Sequence, residues 1–337
     1  MNRTSLLLLA VVVLGALAWY VSSQGQTPTR LADGAEERQF AYAEIDDVHK
    51  IFVADRKGHT VTLTRGGETG WLADGKPANE NVMKNLLSTV RLIDIQSLPT
   101  RKAIPNMVKN LATQGILVQL FDRNGNKLRG YYIGGSTNDE TGTYAIKEDS
   151  ENPYIVHQPG FTGNIRARFN LWDDEWRSKV YFQVDPDKVE RLSIDYPKQQ
   201  SKSFLLEKDG GSYRLSPLYE TGQPVREIPR GVAEGILSRY EKYYVNRYEN
   251  QDAPSIERAR ELLPFAVITL QEEGQEAKEM RLFPRYQGRT LTNDVKTGEY
   301  IESGGLEAFT AFINNGEDWV LLNVETTQPL LVAYDSF

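Results

Sequence analysis

Two loops of the chain repeat one polar pattern and carry the side chains best suited to bind a ligand. Each contains a Thr-Asn-Asp run followed by a tyrosine, and the candidates are Asn138, Asp139, Tyr144, Asn293, Asp294 and Tyr300. If two copies of a domain pack with pseudo-twofold symmetry, these polar groups converge in a cleft that suits a cation, a sugar or a peptide. Asn and Asp also close turns by bonding to their own backbone. The sequence leaves both interpretations open.

No residue type or spacing in the chain indicates catalysis. The histidines His49, His59 and His157 form neither an HExxH motif nor another paired metal spacing. Ser136 follows two glycines but lacks the later glycine of a nucleophile elbow. The chain has no cysteine, which excludes disulfides, thiol catalysis and thiolate metal sites. We therefore predict no catalytic residue, no metal site and no cofactor.

The strands and helices that position the two loops are themselves duplicated, with a period of about 140 to 155 residues. In each copy, short runs of alternating apolar residues predict antiparallel strands. A helix follows, marked in the first copy by the apolar residues Val82, Leu86 and Val90. A shorter helix and a strand pair complete each copy. The pair in the first copy turns at Asn124-Gly125, a strong hairpin signal.

The corresponding helix of the second copy is predicted from an aromatic pattern. Val232, Ile236 and Tyr240 keep the spacing of one helix face, and Tyr244 and Tyr248 continue it. A large aromatic side chain with a polar end suits a core position that keeps its hydroxyl near water. The pattern therefore predicts a helix that extends through these tyrosines and turns them towards the core.

The predicted fold class is α+β, with two tandem copies of an antiparallel sheet with two helices each, after one amino-terminal membrane helix. The first copy is predicted at residues 38–172 and the second at residues 173–337. Charged residues make up 25% of the chain and hydrophobic residues 40%, which is typical of a folded soluble domain. We therefore expect the two copies to form a folded body outside the membrane.

The membrane helix is predicted from an uninterrupted apolar run over residues 6–21. With the polar residues on either side, residues 4–23 reach about 30 Å as a helix, between a long signal peptide and a short spanning helix. Trp19 and Tyr20 fall where an interfacial aromatic belt would lie, which favours a retained anchor over residues 1–23. A cleaved signal peptide is the alternative.

The residues after this segment predict its orientation. Residues 24–37 are rich in Gly, Pro, Thr and charge without periodicity, and this composition predicts a flexible linker. A single arginine, Arg3, precedes the apolar run, and a large polar domain follows the linker. This layout predicts a single-pass protein of the bacterial cytoplasmic (inner) membrane, with its body on the periplasmic side.

Several segments of the body resemble a known family. The segments IFVADRKGHTVTLTR, NGNKLRGYYIGG, TGTYAI and NPYIVHQPGFTGNIRARF are similar to the bacterial envelope family known only as domain of unknown function 4340. The layout of one anchor and a duplicated α+β body is similar too. The resemblance covers nearly the whole body and implies an envelope protein of unassigned biochemistry. Because some members lie beside transporter components, it also implies an accessory role, and it transfers no catalytic residue.

These observations favour a membrane-anchored extracytoplasmic binding or scaffold protein, with an accessory subunit of an ABC-type transporter as its specific form. Its expected partners are the membrane, through residues 4–23, and transporter or envelope-complex subunits. A net charge of −7 argues against nucleic-acid binding. The alternative is an envelope hydrolase that uses a pair of the 46 acidic residues on a glycan or peptide. A third possibility, a secreted ligand-binding protein, requires cleavage of the signal.

Overall fold

The computed structural model describes residues 38–67, 70–170, 173–287, 290–293, 300–303 and 305–337. The predicted anchor at 1–23 and the predicted linker at 24–37 lie outside these residues. No helix within the described ranges is long and apolar enough to cross a membrane. The chain divides into two compact units, and the second begins at Ser178. The sequence-based boundary after residue 172 lies five residues before the end of the first unit at Arg177.

The first unit is built on an antiparallel sheet of nine strands. In spatial order they are β4, β3, β2, β1, β6, β7, β8, β9 and β5. Their bounds are β1 Lys50–Ala54, β2 Thr60–Arg65, β3 Trp71–Ala73, β4 Lys76–Pro77, β5 Asp94–Ser97, β6 Ile116–Phe121, β7 Lys127–Ser136, β8 Thr143–Lys147 and β9 Tyr154–His157. Buried and partly exposed residues alternate along β1, β6 and β8, as the pleat of a sheet requires.

Two helices cover this sheet. Helix α1, Glu80–Leu92, is capped by the preceding residue Asn79, whose side chain accepts hydrogen bonds from backbone N–H groups of the first turn. Its buried residues, among them Leu86 and Val90, belong to the main core of the unit. Helix α2, Ile104–Gln114, packs on β7 and β8. Because its buried residues lie outside that main core, α2 forms a separate contact with the sheet.

The second unit has a sheet with the same plan. Its strands follow the order β14, β13, β12, β11, β17, β18, β21, β22 and β16. Two short strand pairs, β10 with β15 and β19 with β20, lie outside this order. The bounds are β10 Val180–Phe182, β11 Val189–Asp195, β12 Phe204–Asp209, β13 Ser212–Pro217, β14 Arg226–Pro229, β15 Tyr243–Tyr244, β16 Arg247–Tyr248, β17 Ala266–Glu272, β18 Lys278–Tyr286, β19 Thr290–Asn293, β20 Tyr300–Ser303, β21 Leu306–Ile313 and β22 Asp318–Leu322.

Three helices accompany the second sheet. Helix α3, Arg230–Leu237, joins the main core of the unit, and the short α5, Val324–Thr327, precedes the carboxyl-terminal segment. Helix α4, Ala253–Glu261, packs instead against a small aromatic cluster. It ends three residues before Pro264, which disfavours helical backbone in the residue that precedes it. The fold is therefore mixed α and β, mostly strand, with two large antiparallel sheets and few helices.

The two sheets correspond strand by strand. Each starts with a four-stranded meander, and after two helices the chain returns to pair with the first strand of that meander. In the first unit Ile133 of β7 pairs with Ala145 of β8, and in the second Leu282 of β18 pairs with Ala311 of β21. The duplication predicted from the sequence thus has a counterpart in the topology, which allows the two units to be compared residue by residue.

The tyrosine helix predicted in the second copy is wrong beyond residue 240. Helix α3 ends at Leu237, and a single 3₁₀ turn follows it. Tyr243 is buried, Tyr244 is 48% exposed and Val245 is buried, which is the two-residue period of a strand. Aromatic and β-branched residues favour strands over helices, and here that preference prevails over the four-residue spacing.

One buried tyrosine in the core of the first unit, Tyr131, supports a prediction about stability. Tyr131 is fully buried, and its hydroxyl has no hydrogen-bond partner in the described part of the chain. A buried hydroxyl without a partner costs desolvation energy, and phenylalanine removes that cost with little change of shape. We expect Tyr131→Phe to raise the free energy of unfolding by about 1 kcal/mol. Denaturant unfolding of the full-length protein measures this change, and a loss of stability would contradict it.

Candidate functional site

The second helix of the first unit lies directly on its sheet because two glycines leave room for it. A Cβ atom on Gly134 would lie 2.9 Å from Oδ1 of Asn110 and 3.0 Å from Cδ2 of Leu111. The same Asn110 oxygen accepts a hydrogen bond of 2.7 Å from the backbone N–H of Gly135. Asn110 and Leu111 of helix α2 therefore approach the backbone of β7 closely, at two positions where the strand has no side chain.

The second unit replaces these two glycines with large residues. By strand register, Gly134 and Gly135 correspond to Phe283 and Pro284. The ring of Phe283 packs with those of Phe312 and Trp319, with centroids 5.8 to 5.9 Å from its own, and Ala259 of α4 lies against this cluster. In the second unit the strand therefore carries bulky residues at the two positions where the first unit has glycine.

A cleft of about 690 Å³ opens beside this cluster. We call it the α4 cleft, and it is lined by Glu249, Asp252, Ser255, Arg258, Ala259, Leu262, Phe283, Pro284, Arg285, Tyr286, Gln287, Thr310 and Trp319. Its volume lies within the range of small-molecule sites, which is roughly 300 to 1,000 Å³. Polar and charged groups alternate with aromatic and aliphatic ones, as they do in sites that orient an organic ligand.

Glu249 is the most tightly held charge of the cleft. Its carboxylate accepts hydrogen bonds from Nη2 of Arg247 at 2.6 Å and from Nη1 of Arg285 at 3.3 Å. The Glu249 side chain is only 11% exposed. The Glu249 carboxylate is thus shared by two guanidinium groups. Glu249 therefore acts as an anchor for the two arginines.

Two other charged residues of the cleft, Asp252 and Arg258, differ in their bonding partners. Asp252 precedes α4, and its carboxylate accepts a hydrogen bond from the backbone N–H of Ser255 as a helix cap. Arg258 lies on the exposed side of α4 and forms no ion pair with any residue that the structure describes. The positive charge of Arg258 is thus left available at the mouth of the cleft.

The apolar wall contains one unsatisfied donor. Trp319 is 3% exposed, and its indole N–H has no acceptor among the described residues. At the rim, Leu262 and Tyr286 are 56% and 59% exposed. Exposed apolar side chains beside a mixed cleft are typical of a surface that something covers. The arrangement can therefore bind a ligand that has both an apolar and a negatively charged part.

The loop around the sequence-predicted residues Asn138 and Asp139 is bonded mainly to itself. Both side chains are exposed at the turn between β7 and β8. The Asp139 carboxylate accepts hydrogen bonds from the hydroxyls of Thr137 and Thr141, at 2.5 and 2.9 Å. These bonds lower the pKa of Asp139, that from Thr137 most of all. The geometry is that of an Asx-type turn, and ligand binding by this loop stays a prediction.

The other predicted site residues fall at different places. Tyr144 lies partly exposed on β8, and its Cβ atom is 3.1 Å from the position that a Cβ on Gly134 would take. Asn293 and Tyr300 pair across β19 and β20, and their side chains, like Asp294 as a whole, lie outside the described residues. The prediction that the two loops share one ligand is thus untested.

The hairpins that carry these two loops differ in length. In the first unit the ladder ends where Ser136 pairs with Thr143. Arg285 occupies the position of Ser136 in the second unit, and pairing there is found as far as Asn293 with Tyr300. Asn293 lies eight positions after Arg285 in the sequence. By strand register, the counterpart of Tyr144 is Thr310, which lines the cleft. The repeated Thr-Asn-Asp pattern in the sequence had paired Tyr144 with Tyr300 instead.

The self-bonded Asp139 turn supports a prediction about pH. The lowered pKa of Asp139 means that its carboxylate stabilises the fold while ionised, and the contribution is lost as the pH falls below its ordinary value of 3.8. We expect Asp139→Asn to have a lower thermal midpoint than the wild type at neutral pH. The gap should narrow as the pH falls through and below 3.8. Thermal unfolding over this pH range measures the gap, and a constant gap would contradict the prediction.

Sequence reasoning missed the cleft residues. The usable signal was the difference between Gly134-Gly135 and Phe283-Pro284 at equivalent places in the two hairpins. It could be recognised only after the strands had been aligned by register. Arg258 and Trp319 carry no motif, because their role depends on where α4 and β22 bring them together.

The comparisons with known proteins add no family or fold relative. Scans of the chain against protein-family models, curated proteins and solved structures found no match. The resemblance to domain of unknown function 4340 therefore stays a prediction. Within the part of the chain that the structure describes, no group of three or more His, Cys, Asp or Glu side chains is placed to hold a metal ion.

Proposed function

We propose that this chain is a membrane-anchored extracytoplasmic binding or scaffold protein that uses the α4 cleft of its second unit as its binding site. The anchor is the apolar segment at residues 4–23, and the body lies on the periplasmic side of the inner membrane. In its specific form the protein is an accessory subunit of an ABC-type transporter. The resemblance to the envelope family supports this last step.

The observation that carries the proposal is the contrast between two units with one plan. In the first, Gly134 and Gly135 let α2 close onto the sheet. In the second, Phe283 and Pro284 occupy the same places, and a cleft of about 690 Å³ lies beside them. The two units thus differ at one place of a shared plan, and sites that carry function are commonly grafted onto a shared scaffold in this way. The first unit then serves as support.

The alternative, a hydrolase that uses a carboxylate pair, has one observation in its favour. Glu249 and Asp252 line the same cleft. A carboxylate that serves as a general acid or base must lie within hydrogen-bond reach of the substrate, and protein groups already bind both of these. Since Glu249 is bound by Arg247 and Arg285 and Asp252 caps a helix, binding explains both carboxylates better than catalysis.

A pull-down of the full-length protein from its own membranes in mild detergent tests the proposal. Mass spectrometry identifies the partners of the wild type and of Thr310→Trp, which fills the cleft from β21. Ser255→Trp fills the cleft from α4 and guards against a folding defect in the first variant. Thermal midpoints near that of the wild type establish that both variants fold.

We expect the wild type to recover a permease and its ATPase. Both filled variants should recover less of them, because the cleft is blocked. If the wild type is recovered alone, the accessory-subunit proposal is overturned. If the filled variants recover the transporter subunits as fully as the wild type, the cleft is not the site of that interaction.

A further inference from the structure

We propose that the α4 cleft binds a small organic anion with an apolar body, such as an aryl or alkyl carboxylate, and that Arg258 contacts the anionic group. This inference rests on the proposed binding function and assigns a ligand class to it. The argument uses the balance of charge in the cleft, the nature of its wall and its size.

The balance of charge favours an anion. The negative charge of Glu249 is shared by Arg247 and Arg285, so it has little attraction left for a cationic ligand. The Asp252 carboxylate faces a backbone N–H at the start of α4. Arg258 has no ion pair among the residues described. A guanidinium group with free donors binds carboxylates with two parallel hydrogen bonds. Among the described lining residues, Arg258 is the one cation outside an ion pair, and the Asp252 carboxylate is engaged as the helix cap.

The wall of the cleft favours an apolar body. Phe283, Pro284 and Trp319 form one side, and Leu262 and Tyr286 expose apolar surface at the rim. Aromatic side chains pack against other rings with centroids roughly 4.5 to 7 Å apart, and they also pack against alkyl chains. The buried indole N–H of Trp319, which has no acceptor in the described part of the chain, is a donor that a ligand oxygen can satisfy once the wall adjusts.

The size of the cleft suits a small molecule. A volume of about 690 Å³ accommodates one compact ligand with its water. Because the positive charge lies on α4 and the aromatic wall on the sheet, a ligand must span both to satisfy both. An amphipathic anion does so, whereas a free inorganic anion would use only the arginine and a neutral hydrocarbon only the wall.

Isothermal titration of the full-length protein in detergent, corrected with protein-free micelles, tests this ligand class. The probes are 3-phenylpropionate and its neutral counterpart 3-phenylpropionamide, which has nearly the same size and shape but carries an NH2 group in place of the charged oxygen. Hexanoate is a third probe that distinguishes an aryl from an alkyl body. The variants are Arg258→Gln, which removes the charge, and Thr310→Trp, which fills the cleft. Arg91→Gln is the matched control, because Arg91 is an exposed arginine on α1 of the first unit.

We expect the wild type and Arg91→Gln to bind 3-phenylpropionate about tenfold more tightly than the amide. Arg258→Gln should lose about tenfold in affinity for the carboxylate and almost none for the amide, and Thr310→Trp should bind neither. If hexanoate binds more tightly than 3-phenylpropionate, the apolar body of the ligand is an alkyl chain. If it binds more weakly, the body is an aryl ring. Both results agree with the inference. Equal affinity of the wild type for acid and amide, or an Arg258→Gln variant that binds the acid normally, would overturn it.

Failure of this inference can be distinguished from failure of the proposed function. If no probe binds while Thr310→Trp still reduces recovery of transporter subunits, the ligand class is wrong and the binding function stands. If the probes bind as expected while no transporter subunit is recovered, the ligand class stands and the accessory role falls.

Discussion

Replacing Gly134 with alanine is expected to lower the free energy of unfolding of the first unit by about 1 to 3 kcal/mol. The added Cβ would lie 2.9 Å from Oδ1 of Asn110, 3.0 Å from a methyl group of Leu111 and 3.1 Å from Cβ of Tyr144. Asn110 cannot simply move away, because its oxygen holds the backbone N–H of Gly135. Helix α2 must therefore shift outwards or its bond to β7 must break.

The control for this change is Gly235→Ala in helix α3. A Cβ on Gly235 would meet nothing within 4 Å, and its φ is not positive. Alanine there should raise stability by roughly 0.4 to 1 kcal/mol, because it reduces the freedom of the unfolded chain. Denaturant unfolding followed by circular dichroism measures both variants. Equal effects of the two substitutions would show that the close approach of α2 to β7 is unimportant.

Replacing Tyr240 with phenylalanine is expected to destabilise the second unit by about 1 kcal/mol. Tyr240 is fully buried, and its hydroxyl donates a 2.8 Å hydrogen bond to the carbonyl oxygen of Leu330. Tyr243 and Tyr196 likewise bond to the carboxyl-terminal segment, through Thr327 and the carbonyl of Val332. Loss of the Tyr240 hydroxyl leaves the Leu330 carbonyl with the backbone N–H of Val332 as its remaining donor, and that segment should loosen first.

Amide hydrogen exchange of residues 324–337 measures this loosening alongside the global unfolding energy. Faster exchange in that segment is expected for Tyr240→Phe, with little change in the first unit. Tyr131→Phe is the matched comparison, because it removes a buried hydroxyl that has no partner within the described residues. If both substitutions changed stability by the same amount and sign, the role of the Tyr240 hydrogen bond would be refuted.

Local patterns were enough to predict much of the fold. The Asn124-Gly125 turn joins β6 to β7, and Gly125 has a φ of +85°, which glycine adopts easily. The apolar spacing of α1 identified Leu86 and Val90, both fully buried. Such features depend on residues close in sequence. The repeated order of strands also left a trace in the sequence, because each copy needs the same alternation to bury one face of its sheet.

The remainder depends on contacts between distant segments. Tyr243 and Tyr244 form a strand because they pair with β10, more than 60 residues earlier in the chain. The α4 cleft exists because β18, β22 and α4 meet, and its wall was not marked by any motif. Patterns of local period carry no information about the space left between two packed elements. The mixed α and β character and the two large antiparallel sheets were therefore accessible from the sequence, and the cleft was not.

Photo-crosslinking from the rim of the α4 cleft is the most direct test of the central claim that this cleft is the binding site. The photoreactive residue p-benzoylphenylalanine is placed at Tyr286, on the rim, or at Tyr244, an exposed tyrosine of the same unit that does not line the cleft. Full-length protein is irradiated in its own membranes. The account predicts an adduct from position 286 that disappears with Thr310→Trp, and none from position 244. No adduct from position 286, or one that persists when the cleft is filled, would contradict it.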